Sequence, residues 1–182
     1  MNYQAIIDEV YQGLQHIEDK GKLASYIPEL ANMNPDKFGV YVSTTEGKGF
    51  GVGDYSDRFS IQSITKVLSL CLAYSILGED IWERLGVEPS GSSFNSLVQL
   101  ETDNGIPRNP CINAGAIVIS DILISHLDNP KSDFLAFVRN LADNSSLNYN
   151  ERVAQSEKSV GFRNVALCNF IKSFGNIHND PE

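Results

Sequence analysis

Apolar residues recur at helical spacing near the start of the chain. Ile6, Ile7, Val10, Tyr11, Leu14 and Ile17 predict an amphipathic packing helix over residues 3–19, stopped by Gly21. Residues 21–30 contain Pro28 and lead into Asn32, Asn34 and Pro35, so they read as loop or short helix. The pattern then changes period. Residues 38–43 are β-rich, 46–49 form a turn, and 49–53 return as a second strand, which makes a hairpin. From about Ser63 to Leu77 the chain is apolar on most faces, predicting a central buried helix with Gly78 as its C-cap.

A short helix is expected over 81–85, closed by Gly86. Residues 86–91 form a loop, and 92–100 are mixed. The stretch 104–113, rich in Pro and Asn, reads as a rigid loop that delivers Asn113 to a small-residue helix start. That helix then turns apolar and runs to about Leu127, and Asn129-Pro130 ends the region. Residues 133–142 predict an amphipathic helix with Phe134, Phe137, Val138 and Leu141 inward. Residues 150–155 begin another helical piece, 155–161 break it, and 162–175 form the last clear helix before a polar tail. There is no internal repeat and no low-complexity segment.

A length of 182 residues fits one domain with a real core. A net charge of −9 without any Lys/Arg cluster excludes nucleic acid and anionic membranes as expected partners. No apolar run is long enough to span a bilayer. The first residues lack a basic and then apolar leader pattern, so a cytoplasmic protein is expected. Cys71, Cys111 and Cys168 are odd in number and set among apolar residues, which predicts buried free thiols in a reducing compartment. His16, His126 and His178 are scattered, so no metal site is expected.

The candidate chemistry is S-x-x-K. Ser63 and Lys66 are three residues apart at a helix start, so they share a face. A serine needs a base to become a nucleophile, and a lysine can serve when burial keeps it neutral. The helix N-terminus favours an anion forming there. Each part also has a bland alternative. One S-x-x-K is about what chance yields, Asn113 or Asn164 could be a helix cap, Glu157 a surface charge, and Tyr26 a core-edge aromatic.

Taken together, several runs carry a resemblance. They are K-L-A-S-Y-I-P-E-L at 22–30, F-S-I-Q-S-I-T-K at 59–66, E-P-S-G-S-S-F at 88–94 and N-P-C-I-N-A-G-A-I at 109–117. Ser156-Glu157 with Arg163-Asn164 complete the set. Their order and spacing resemble the serine-dependent glutaminases, relatives of the serine β-lactamases and penicillin-binding proteins. The resemblance implies an α/β (α+β), transpeptidase-like fold. Residues 1–182 would form one domain, with a mostly helical subdomain, an N-terminal helix and a hairpin. It implies Ser63 as nucleophile, Lys66 as base and the Ser63 N–H as half of an oxyanion hole. Tyr26, Gln62, Asn113, Glu157 and Asn164 would hold the substrate. L-glutamine would be hydrolysed to L-glutamate and ammonia with no metal or organic cofactor, in a homo-oligomer, either dimer or tetramer.

Family members continue past the last residue here. The further part would carry more sheet strands, a last helix, two site tyrosines and a second oxyanion donor. Lacking that donor alone should lower the rate roughly 10²–10³-fold, so low activity or a piece of a longer protein is expected. Two rivals stand beside this expectation: a serine hydrolase acting on another amide, and a non-catalytic amino-acid-binding or assembly module.

Overall fold

The structure is a computed structural model that describes residues 1–19 and 21–181. Helix α1 (Tyr3–Leu14) lies on an antiparallel hairpin of β1 (Gly39–Ser43) and β2 (Gly49–Gly53), with Val40 opposite Val52 and Val42 opposite Phe50. The period-2 pattern survives: Val40 and Val42 are half-buried while Tyr41 faces out. Tyr3 packs on Phe50 and Tyr11 stacks on Phe38, each with ring centroids 5.5 Å apart. The backbone of Gly51 lies so close to the Tyr55 ring that an added Cβ would sit 2.7 Å from it.

The remaining elements are helical. A four-residue α2 (Pro28–Ala31) comes between α1 and the hairpin in the chain. A 3₁₀ turn (Gln62–Ile64) runs into α3 (Thr65–Leu77), which ends at Gly78 with φ 58°. A second 3₁₀ turn (Gly78–Glu83) leads through a loop to α4 (Leu97–Thr102). Then come α5 (Asn113–His126), α6 (Pro130–Leu141), α7 (Glu151–Val160) and α8 (Phe162–Ser173).

The core lies among α3, α4, α5 and α8, where Ala73, Leu100, Val118, Ile119, Ile122, Leu167 and Ile171 meet. A polar clamp closes it. Asp121 of α5 is buried and accepts from the Arg84 guanidinium at 2.6 Å, from Asn179 Nδ2 at 2.8 Å, and from the N–H groups of His178 and Asn179. Arg84 in turn donates to Asn176. The chain after α8 is thereby fastened to the middle of α5.

Several expectations are corrected. The central helix is α5, not α3: seven residues of α5 are buried but only Ala73 of α3, and Val67, Cys71 and Tyr74 face outward. An all-round apolar pattern marks a helix that can be covered, and here α3 is covered only in part, chiefly by α5. The thiols are free, as expected, but Cys71 and Cys111 are exposed and Cys168 is only partly buried. Helix α1 ends at Leu14 rather than at residue 19, and Ile17 lies outside it. Pro130 opens α6 at its first position, where a missing N–H costs nothing, and Leu141 points outward. The break expected over 155–161 is absent, because α7 continues to Val160 and places Glu157 inside a helix. The short helix expected at 81–85 is the 3₁₀ turn that starts at Gly78.

Candidate active site

The segment before α3 is bent and pinned. Arg58 donates to Ser146 Oγ at 3.0 Å. Gln62 adopts φ 45°, a left-handed conformation that costs a non-glycine residue roughly 1–3 kcal/mol. Its side-chain amide donates to Ser60 Oγ at 2.8 Å, and Thr65 Oγ1 donates to its carbonyl at 2.7 Å. The tight turn leaves Ser63 exposed, just ahead of the free N–H groups of α3. Among the described residues its hydroxyl makes no hydrogen bond.

Lys66, one turn later, is half-buried, and its Nζ donates to Asn113 Oδ1 at 2.8 Å. Asn113 Nδ2 donates to Asn164 Oδ1 at 3.1 Å. Three residues from three helices thus join in one hydrogen-bonded chain. Burial holds the Lys66 amine below the ordinary lysine value, against an opposing electrostatic influence of Cys111. Asn113 is not the helix cap: Ile112 occupies that position, and the Asn113 side chain is spent on Lys66 and Asn164.

The loop before α5 aims that amide. Asn109 Oδ1 accepts the N–H groups of Cys111 and Ile112 at 2.9 and 3.2 Å, and its Nδ2 donates to the Glu88 carbonyl at 2.8 Å. Gly115 lets α5 approach the Asn109 carbonyl more closely than any Cβ would permit.

Tyr26 and Glu157 belong to segments that are joined by a different route. The Glu29 N–H donates to Ser156 Oγ at 3.1 Å, and Arg152 pairs with Glu29 at 3.1 Å, so α2 docks on α7. Tyr26, two residues before α2, is 69% exposed; Glu157, next to Ser156, is half-buried and without an ion pair among the described residues. Gly161 ends α7 and its carbonyl accepts the Asn164 N–H at 3.0 Å, which ties the Glu157 helix to the start of α8. No hydrogen bond joins Tyr26, Gln62 or Glu157 to the Lys66–Asn113–Asn164 chain, and none joins Ser63 Oγ to Lys66 Nζ, among the described residues.

Sequence reasoning gave no site role to Phe94, Cys111 or Asn109, although all three lie in runs that carried the resemblance. An Asn two and three residues ahead of the N–H groups it takes is an Asx-turn pattern, and that was the available signal for Asn109. Phe94 and Cys111 left none. Among the described residues no cluster of His, Cys, Asp or Glu could hold a metal ion, and no helix is long and apolar enough to cross a membrane.

An exposed hydroxyl at a helix start with a desolvated amine one turn on is an arrangement suited to nucleophilic acyl transfer. Comparison with known proteins gives the family. The family model described as glutaminase matches residues 21–182. A glutaminase of Christiangramia forsetii is 53% identical over 182 residues, covering 100% of this chain and 60% of the relative. One from Saccharophagus degradans is also 53% identical, with 59% of its length covered. The chain therefore spans about three fifths of the length of these curated relatives. The solved structure of a probable glutaminase, ybaS, superposes with a TM-score of 0.91 at 31% identity, over 98% of this chain and 58% of that one. A probable glutaminase from Bacillus subtilis complexed with 6-diazo-5-oxo-L-norleucine gives 0.80 at 26% identity, covering 100% of this chain and 55% of its own. On this evidence the chain belongs to the glutaminase family.

Proposed function

We propose that the protein hydrolyses L-glutamine to L-glutamate and ammonia through an ester formed on Ser63. The observation that carries this is the Lys66 amine, half-buried, held below the ordinary lysine range and one turn from an exposed serine at a helix start. Neutral Lys66 Nζ takes the Ser63 proton, and Oγ attacks the side-chain amide carbon of glutamine. The oxyanion faces the Ser63 N–H and the positive end of α3. The leaving nitrogen takes up the proton and departs as ammonia, and water then cleaves the ester. Catalytic contacts are commonly loose before substrate arrives, and the resting bond from Lys66 to Asn113 fits that pattern.

Asn113, Asn164 and Glu157 hold the amino-acid end, the carboxylate of Glu157 taking the ammonium, while Tyr26 and Gln62 border the pocket. The ligand in the Bacillus subtilis structure supports this substrate class: it is a zwitterionic amino acid with a carbonyl at its fifth carbon, where glutamine carries its amide. Residues 1–182 act within one domain, in a homo-oligomeric protein of the cytoplasm, to which the three free thiols are suited.

Ammonia release from L-glutamine tests the assignment. It should be measured on this chain and on a chimera that adds the extra length of the Christiangramia forsetii relative. Ser63→Ala should abolish release while leaving the thermal midpoint unchanged, since only an exposed hydroxyl is lost. Release by neither parent protein, or unchanged release by the variant, overturns the proposal.

A further inference from the structure

Phe94 lies in the loop between the second 3₁₀ turn and α4 and has no role in the scheme above. We propose that it is a positioning residue for the Lys66 amine: its ring covers one side of Nζ while its backbone holds the amine's hydrogen-bond partner in place. The ring centroid is 5.8 Å from Lys66 Nζ. The Phe94 carbonyl accepts the Asn113 N–H at 3.0 Å, and the Asn113 side chain accepts from Lys66 Nζ at 2.8 Å. One residue therefore sets its ring beside the amine and holds the amine's partner through its backbone, closing a circuit through Lys66, Asn113 and Phe94.

The loop that carries Phe94 is itself anchored. The Glu88 N–H donates to the Arg108 carbonyl at 2.8 Å, Asn109 Nδ2 donates to the Glu88 carbonyl at 2.8 Å, and Arg163, beside Asn164, reaches Asn95 Oδ1 at 3.4 Å. Phe94 is 59% exposed, so core packing does not account for its position.

Two effects of the ring oppose each other. Excluding water favours the neutral amine, while the ring face attracts the ammonium. At 5.8 Å the attraction is near the limit of its range of about 6 Å, so exclusion of water dominates. The titratable group acting on the amine is the Cys111 thiol, from the loop before α5, and it favours the charged form. Asn113 and Asn164, from α5 and α8, are uncharged. The ring and the burial it adds to thus work against the thiol.

The catalytic meaning rests on reading Lys66 as the base, but the test separates the two. Protein labelled with ε-¹³C lysine is titrated by NMR, and the Lys66 signal is identified by its loss in Lys66→Ala. In Phe94→Ala the Lys66 midpoint should move upward, toward the ordinary lysine value. Phe94→Leu keeps an apolar cover and should stay near the parent. Both variants keep the backbone bond to Asn113 and change an exposed ring, so the thermal midpoint should hold. An unchanged or lowered midpoint in Phe94→Ala overturns the inference whether or not the protein turns over glutamine. In the chimera, the acid limb of kcat/KM should move the same way; a limb that stays still while the NMR midpoint shifts overturns the positioning role. Undiminished turnover by Lys66→Ala instead removes the base assignment and leaves the titration result intact.

Discussion

The helical region around α5 and the region of α1 with its hairpin are held by different means. Around α5, apolar residues from α3, α4, α5 and α8 interdigitate, and the buried Asp121 ties the chain after α8 to the centre of the bundle. In the other region only Ile7 of α1 is buried, and contact is made by aromatic pairs at the surface, Tyr3 with Phe50 and Tyr11 with Phe38. Ile6 and Val10 remain about half exposed. A two-stranded sheet gains little on its own and depends on what packs against it. The side chains of the proposed chemistry stand mainly on the first kind of scaffold: Lys66, Asn113 and Asn164 each come from a helix of the packed bundle. An amine has to be both desolvated and fixed in place, and only a densely packed region supplies both.

Breaking the clamp should have the largest effect on this contrast. Asp121→Ala leaves the Arg84 guanidinium without its carboxylate and should cost roughly 3–5 kcal/mol in urea unfolding. The same carboxylate makes the bundle acid-sensitive. Burial disfavours its charge, but Arg84, Asn179 and the His178 N–H outweigh burial and hold its pKa below the ordinary value. A depressed folded pKa means that its stabilisation is complete well above the unfolded value of about 3.9 and is lost as pH falls through the folded one. Parent protein should therefore lose stability progressively below about pH 5, and the Asp121→Ala variant should lose less over the same range.

Next in size is Gly115→Ala. A Cβ there meets the Asn109 carbonyl, so overpacking should cost about 1–3 kcal/mol and shift the Asn113 amide away from Lys66. A drop in ammonia release beyond the fraction unfolded would confirm the displacement; normal stability would mean that the loop yields freely. Hydrogen exchange sharpens the comparison without a mutation. Amides of α5 should exchange only through global opening, while those of β1 and β2 exchange through cheaper local opening. Equal protection in both regions would erase the distinction. The smallest effect belongs to Val10→Ser, which alters a half-exposed residue and should stay within about 0.5 kcal/mol.

Much of the layout was legible in the chain. The hairpin, the C-cap at Gly78, the helix opened by Asn113 and the last helix follow from period changes and glycine placement, all of them local preferences. What failed also has local causes. α3 and α5 are both apolar on most faces, so nothing in the pattern ranks their burial; α5 is the more buried because α3 and α8 both pack on it and the chain after α8 is fastened to Asp121. Glu157 was assigned to a break because Ser and Lys are weak signals, and docking of α2 through Ser156 favours the helix there.

Residue identity and spacing by themselves determined which side chains could do chemistry, and through shared runs pointed to the family: a serine and a lysine one turn apart, amides at two helix starts, and an acid. Tertiary structure alone decided their partners. It gave the Lys66 amine to Asn113, set a phenyl ring over it, and put Asp121 rather than a site residue at the buried centre. The reason is one of range. Helical period and turn preference act over a few residues, whereas desolvation and hydrogen bonding between Lys66, Phe94, Asn113 and Asn164 depend on segments far apart in the chain that meet only once the helices pack.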